Sequence, residues 1–188
     1  TFVGEWTAQS HPNSFPADDH FSSTILFTHN DQTQLYEEGQ MASTGIEDMS
    51  EIGNNDALVN EIQAIINANN GLEFIVGNCC IAGNGTDALS INASQDFALL
   101  SYVAMIAPSP DWFTGISSAP LFVDGAWVES IEIDVIAYDA GTEEGNTFSY
   151  NNPETSPRQP IQKITEAPLG DGTSVSPRLG KLVIALLQ

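Results

Sequence analysis

The sequence has 188 residues, enough for one domain with a sizeable hydrophobic core, and we predict a single domain over residues 1–188. Its 25 acidic and 4 basic side chains give a net charge of −21, which repels nucleic acid and anionic lipid and so excludes them as partners. No apolar run approaches the roughly 18 residues that span a bilayer, so membrane insertion is excluded as well.

The charge is unevenly distributed along the chain. All four basic residues lie after position 157, and the 23 acids before it have no Lys or Arg close in sequence. These carboxylates are expected to be solvated or to bind cations. We attribute most of the charge to adaptation to salty water, where screening weakens self-repulsion. The sequence begins with Thr1 rather than Met, which indicates a processed precursor or a trimmed chain.

The first third of the chain predicts short elements around a long polar loop. Residues 1–9 indicate the tail of a strand and residues 24–30 a short strand, with a loop rich in Pro, Asn and Asp between them. A short helix is predicted over 43–53, with Ser43 or Thr44 as its cap and a glycine at its end. A second helix is predicted over 56–68, where apolar residues recur at helical spacing.

After residue 71 the pattern changes to short strands. Residues 130–138 alternate, with Ile131 and Ile133 on one face and acids on the other, and Asp124-Gly125 is a hairpin turn signal. The strand-like runs are LEFIVGN, DALSINA, FALLSYVAMIA, LFVDGAWV, SIEIDVIAY, PIQKITEA and KLVIALL. Many short strands separated by turn residues predict a mainly β protein, an antiparallel β-sandwich or barrel with two small helices across one end.

Cys79 and Cys80 are adjacent, and two cysteines provide neither a disulfide framework nor a metal site of cysteine type. Neighbouring cysteines that pair with each other close a strained eight-membered ring. We therefore expect two reduced or separately used thiols.

Three acids follow predicted strand ends. Asp111 lies in the run APSPDWFTG, and Asp139 and Glu143 flank a glycine in YDAGTEEG. Two strand ends in one sandwich can meet at a rim, where three oxygen donors without a basic partner suit a hard divalent cation, calcium first. The alternative is that these acids cap turns by accepting backbone N–H groups. Spacing alone leaves both interpretations open.

An enzymatic interpretation has weaker support. Two carboxylates could act as acid and base in glycoside cleavage, but nothing marks such a pair among the other acids. His11, His20 and His29 recur every nine residues and could bind a transition metal or act as a base, although bonds to loop backbone are the expectation for His11 and His20. Neither G-x-S-x-G nor H-E-x-x-H occurs.

The chain resembles the spondin domain family. The resemblance rests on ordered blocks that cover nearly the whole sequence from Trp6 onward. The blocks are EWTAQSHPNSFPADDHFS, THN, GQMASTGIEDMSEIG, MIAPSPDWFTGI, LFVDGAWV, YDAGTEEGNTFSYNNPETSP and PIQKIT. The PSPDWF and DAGTE blocks are the most specific of these.

The resemblance implies a jelly-roll-like antiparallel sandwich that is secreted, non-enzymatic and active in extracellular matrix or adhesion, with an extracellular protein or glycan as ligand. It also implies one divalent cation, usually calcium, at the sandwich rim. Carried over to this chain, its ligands are Asp111, Asp139 and Glu143, where the family often has Asp at the last position. A further family carboxylate falls on Asn92, whose amide oxygen is a weaker donor.

Two further expectations concern glycans and self-association. Asn84 and Asn92 match the short glycosylation pattern, and a glycan on Asn92 would exclude it as a ligand. The first strand is short for the family, and an open sheet edge recruits strands from neighbours. The alternative function is therefore a self-assembling subunit of an extracellular filament or matrix, joined to copies of itself by β-strand addition.

Overall fold

A computed structural model of the protein describes residues 1–175 and 178–187. Its elements in chain order are β1 (Phe2–Gly4), β2 (His20–Phe21), β3 (Ile25–His29), α1 (Thr44–Ile52), α2 (Asp56–Asn67), β4 (Gly71–Val76), β5 (Ile81–Ala82), β6 (Thr86–Asp87), β7 (Leu99–Ala107), β8 (Trp112–Pro120), β9 (Phe122–Val123), β10 (Ala126–Trp127), β11 (Ser130–Asp134), β12 (Ile136–Asp139), β13 (Gln162–Lys163) and β14 (Gly180–Ala185).

The strands form two main antiparallel sheets and one small hairpin. The smaller sheet has the order β11-β14-β1-β6. The larger sheet runs β13-β12-β8-β7, and β7 then pairs with both β2 and β3, which carry β5 and β4 on their outer sides. Among the described residues, strands β9 and β10 pair only with each other, around the predicted Asp124-Gly125 turn.

The larger sheet is buried on both faces. Alternate residues of β7 face opposite sides, so Tyr102 and Ile106 join a cluster between the two sheets, while Val103 and Met105 join a second cluster beneath the helices. Each large apolar side chain buried in this way contributes about 1.5–3 kcal/mol. The molecule therefore has three layers: the smaller sheet, the larger sheet and the helix pair.

The local sequence explains where α1 begins and ends. The Ser43 hydroxyl accepts a hydrogen bond from the Ile46 N–H at 3.2 Å, and Gly53 adopts a left-handed conformation with a φ of 67° at the other end. Ile46 and Met49, fully buried, attach the helix to the larger sheet. This attachment holds α1 against strands β7 and β8.

The fold class is confirmed: the protein is mainly β, with antiparallel sheets and two helices. Both predicted helices are present. Their predicted placement across one end is wrong, because they cover a face of the larger sheet. The run 130–138 is interrupted at Val135, after which the chain leaves the smaller sheet and enters the larger one.

Three details of the strand prediction differ from the structure. Strand β8 was not predicted, although it pairs with β7 and β12 in the larger sheet. Residues 88–93, expected to belong to a strand, have no regular secondary structure, and the run 160–167 contributes only the two residues of β13.

Cys79 and Cys80 form a disulfide with each other, so the expectation of two separate thiols was wrong. They lie in the short connection between β4 and β5 and are solvent-exposed.

Candidate metal centre

Sheet register brings Asp111 and Asp139 to the same rim. Asp111 directly precedes β8, and Asp139 ends β12 opposite Trp112 in the antiparallel ladder. The backbone N–H of Ala140 donates to the Asp111 carbonyl at 3.1 Å and closes the ladder there. The two predicted carboxylates therefore start from adjacent strand ends, as the sequence indicates.

The two oxygens of the Asp111 carboxylate have different surroundings. Oδ2 accepts hydrogen bonds from the Thr142 N–H at 2.7 Å, the Thr142 hydroxyl at 3.2 Å and the Glu143 N–H at 3.1 Å. Oδ1 is buried and has no hydrogen-bond partner among the described residues. The capping alternative is thus confirmed for one oxygen, and the other is left unsatisfied in a fully buried residue.

A buried carboxylate oxygen without a partner is costly, because burial removes the water that would solvate it. Burial raises the pKa of Asp111, although its hydrogen bonds from Thr142 and Glu143 oppose the rise. Each of the four Lys and Arg side chains is paired with an acid elsewhere, Arg158 with Glu47 among them. Asp111 therefore has no Lys or Arg as an ion-pair partner in the described part of the chain.

Asp139 and Glu143 share this electrostatic environment. Burial and then the Asp111 charge raise the pKa of Asp139 to about 6. Its Oδ1 accepts the Gly141 N–H at 2.8 Å, in a turn where Gly141 has a φ of 76°. Burial also raises the pKa of Glu143, with smaller contributions from neighbouring carboxylates, while Asn152 donates to its Oε2 at 3.2 Å.

The structure adds Glu51, which sequence analysis did not single out. It lies near the end of α1, where burial and then the charges of Glu47 and Asp111 raise its pKa, opposed by a hydrogen bond from Thr142. Only the packing of α1 on the larger sheet brings Glu51 there. Its block belongs to the resemblance, but spacing alone does not distinguish Glu51 from the other acids.

Asn92 does not join this group. Its backbone and side-chain N–H groups donate to Glu73 Oε2 at 2.6 and 3.0 Å, and its carbonyl accepts from the Thr28 hydroxyl. Thr28 pairs with Leu100, near the end of β7 opposite to the Asp111 rim. The structure therefore places Asn92 apart from Asp111, Asp139 and Glu143, in the irregular segment that precedes β7.

The three histidines lie apart and contact local groups. His20 Nδ1 contacts the Asp18 carbonyl at 2.9 Å, and His11 Nδ1 contacts the Ser10 hydroxyl at 3.0 Å. His29 Nε2 contacts the Ser101 hydroxyl at 2.8 Å, but both residues are fully buried. Because both side chains are buried, a substrate cannot reach them in this fold. The hydrogen bond between His29 and Ser101 therefore has a structural role.

The rim offers carboxylate oxygens, which are the donors that hard divalent cations prefer. Within residues 1–175 and 178–187, no three or more His, Cys, Asp or Glu side chains are arranged as a ready-made metal site. What the rim does present is one buried, unpartnered oxygen of Asp111, with Asp139, Glu143 and Glu51 electrostatically coupled to it. This donor set suits calcium in its chemistry.

Comparison with known proteins places the chain in a family. The family model described as Spondin_N matches residues 1–175, which include the whole rim. The chain belongs to the Spondin_N family.

Curated relatives agree with the Spondin_N match. Human Spondin-2 is 31% identical over 171 residues, covering 89% of this chain and 52% of the relative. Chicken Spondin-1 is 31% identical over 175 residues, covering 88% of this chain and 21% of the relative. The chain thus spans about half the length of Spondin-2 and a fifth of Spondin-1.

The helices of this Spondin_N chain are short. Among the described residues, none of them has the length and apolar character needed to cross a bilayer.

Proposed function

We propose that this chain is a secreted, non-enzymatic module of extracellular matrix or adhesion that binds one calcium ion at the sandwich rim. Membership of the Spondin_N family supports the class of function, since the sequence resemblance implies a secreted matrix or adhesion role. The observation that carries the calcium site is the buried Oδ1 of Asp111, which has no partner among the described residues. A cation would satisfy that oxygen and neutralise its neighbours.

The proposed ligands are Asp111 through Oδ1, with Asp139, Glu143 and Glu51 around it. Calcium in proteins takes about six to eight oxygen ligands, so backbone carbonyls and water would complete the shell. Asp111 keeps its Oδ2 for the Thr142 and Glu143 N–H groups, which fixes the orientation of its carboxylate. The free Oδ1 is therefore positioned before any cation binds.

Cation binding would connect separate elements of the fold. The ligands come from the end of α1, the start of β8, the end of β12 and the loop after β12. A cation held among them would link the helix layer to the larger sheet and order the loop. Because the folded state binds the ion and the unfolded chain does not, binding adds to the free energy of unfolding.

Isothermal titration with calcium tests the proposed site directly. Wild type should bind calcium with one strong site, and Asp111→Asn, which keeps the side-chain shape and removes its charge, should bind at least about tenfold more weakly. Asp124→Asn, which makes the same change in an exposed hairpin turn, is the control. Equal calcium affinity in all three proteins would refute the rim site.

A second candidate is the self-assembling filament subunit joined by strand addition. It is favoured by β11, which forms an edge of the smaller sheet and pairs on one side, with β14, among the described residues. The net charge of −21 opposes association of identical chains at low ionic strength. Light scattering of a concentrated sample in calcium and high salt decides, because a chain that stays monomeric there is not such a subunit.

A further inference from the structure

The connection between β5 and β6 carries an exposed asparagine, Asn84. It opens the pattern Asn84-Gly85-Thr86, in which a threonine stands two positions after an asparagine. The Gly85 N–H donates to the Ala82 carbonyl at 2.7 Å and closes a β-turn. Asn84 is the third residue of that turn, and both Asn84 and Thr86 are exposed. The pattern therefore lies at the surface, on a defined turn.

The backbone on both sides of Asn84 is bonded to β1 and to the residues that follow β1. The Gly4 N–H donates to the Gly85 carbonyl at 2.8 Å, and the Trp6 N–H donates to the Gly83 carbonyl at 3.0 Å. A Cβ atom on Gly83 would lie 2.5 Å from the Trp6 carbonyl oxygen, so the turn packs too closely there for any larger residue. The turn therefore presents Asn84 to solvent from a fixed backbone.

The amide of Asn84 takes no part in holding the fold together. Within residues 1–175 and 178–187, neither the Asn84 side chain nor the Thr86 hydroxyl makes a hydrogen bond. Strand β6, which begins at Thr86, lies at the edge of the smaller sheet and pairs with β1. A bulky soluble group such as an N-linked glycan needs a surface position where it displaces no contact of the fold. Asn84 meets that condition.

The second copy of the pattern, which begins at Asn92, has different surroundings. The Asn92 Nδ2 donates to Glu73 Oε2 at 3.0 Å, and the Asn92 backbone N–H donates to the same oxygen at 2.6 Å. Ser94, the third residue of this copy, is half-buried and forms an isolated β-bridge with Phe97. A glycan on Asn92 would therefore disturb a side-chain contact of a kind that Asn84 does not make.

We infer that Asn84 is an N-glycosylation site, that its glycosyl donor is an oligosaccharide joined through phosphate to a lipid, and that Asn92 stays unmodified. The Asn84 Nδ2 forms a bond to the anomeric carbon of the sugar while the bond from that carbon to the phosphate oxygen breaks. The amide loses one proton, which the released phosphate takes up, so no oxidant or reductant is required. The inference rests on the proposed secretion of the chain and does not depend on calcium binding at the rim.

Peptide mapping by mass spectrometry tests the site on the full chain, produced in a eukaryotic cell with an added secretion signal. The peptide that contains Asn84 should carry a glycan, and an amidase specific for N-linked glycans should remove it and leave an aspartate at that position. The peptide that contains Asn92 should be bare. The added signal brings the chain to the transferase even if the proposed natural secretion is wrong, so a bare Asn84 overturns the inference by itself.

Two variants of Thr86 separate the acceptor pattern from the asparagine itself. Thr86→Ala removes the hydroxyl that the pattern requires and should abolish the glycan, whereas Thr86→Ser keeps a hydroxyl and should retain it. Both variants leave Asn84 in place, and the pairing of Thr86 with Val3 is made by backbone groups. A glycan that persists on Asn84 in Thr86→Ala overturns the assignment to this pattern. The mapping of wild type decides even where a variant fails to fold.

Two other results of the same mapping would contradict the inference. If the sugar on this peptide resists the amidase and is lost in Thr86→Ala, it is attached to the Thr86 hydroxyl, and Asn84 is not the acceptor. If Asn92 carries a glycan and Asn84 does not, exposure and freedom from hydrogen bonds do not select the acceptor, and the inference is again wrong.

Discussion

The two oxygens of the Asp111 carboxylate lie in different environments. Its Oδ2 caps the loop at Thr142 and Glu143, as a turn residue does, while its Oδ1 remains buried without a described partner. The sequence supplied the residue type and its strand-end position. It could not supply the split between the two oxygens, because that depends on where residues far along the chain fold back.

The pH dependence of the calcium-free protein tests the electrostatics of Asp139. Its pKa is about 6 in the folded protein and 3.8 ordinarily. Between these values the unfolded chain has lost a proton that the folded protein retains, so this residue lowers the free energy of unfolding as pH rises from about 4 to 6. In chelator, Asp139→Asn should therefore gain stability over wild type across that window.

Urea unfolding in chelator at a series of pH values measures that gain. The two proteins should be similar near pH 4, and their difference should grow until about pH 6 and then level off. Asp124→Asn, on the hairpin turn, should run parallel to wild type. A constant difference between Asp139→Asn and wild type at every pH would show that Asp139 has an ordinary pKa in the fold.

We expect substitutions of Glu51 and Asn92 to have different effects on calcium affinity. Glu51 is coupled to Asp111, whereas Asn92 is bonded to Glu73 at the far end of β7. Glu51→Gln should weaken calcium binding by about tenfold, and Asn92→Gln should leave it unchanged in the same titration. If Asn92→Gln weakened calcium binding and Glu51→Gln did not, Asn92 would be a ligand and Glu51 would not.

At the level of elements, the helices were predictable and strand β8 was not. Each helix carries its own signals, such as the Ser43 cap and Gly53 stop of α1. Strand β8 is rich in Thr, Ser and Gly, and it is buried because the helices cover one face of the larger sheet and the smaller sheet covers the other. No local pattern records that double coverage.

The caps of the two helices differ in a way that can be measured. Ser43 accepts the Ile46 N–H and donates to Glu61 at 2.7 Å. Asn55, the cap of α2, makes no such bond, and its buried Oδ1 has no partner among the residues that the structure describes. Ser43→Ala should lower the free energy of unfolding by about 1 kcal/mol, and Asn55→Ala should change it much less. Urea denaturation measures both. Equal losses would mean that the bonds of Ser43 add nothing.

At the level of the whole molecule, the charge of −21 has its own consequence. Repulsion among acids weakens the folded state, and salt screens it. In chelator, raising sodium chloride from about 0.1 to 1 M should therefore raise the thermal midpoint of wild type. A midpoint that falls or stays level would show that the surface acids do not destabilise the fold.

The fold class and the family could be predicted from the sequence because they depend on many residues in order. The set of side chains at the rim could be predicted only in part, because it depends on how the three layers pack together. The rim is thus a product of tertiary arrangement more than of any one motif.

Thermal unfolding with calcium and with chelator, on wild type, Asp111→Asn and Asp124→Asn, tests whether the rim binds calcium. We expect calcium to raise the midpoint of wild type and Asp124→Asn by several degrees and to leave Asp111→Asn unchanged, because of the two substituted residues Asp111 lies at the rim and Asp124 does not. If calcium shifts all three proteins equally, it acts on the acidic surface in general. If it shifts none, the rim carboxylates serve only to cap loops, and the calcium site does not exist.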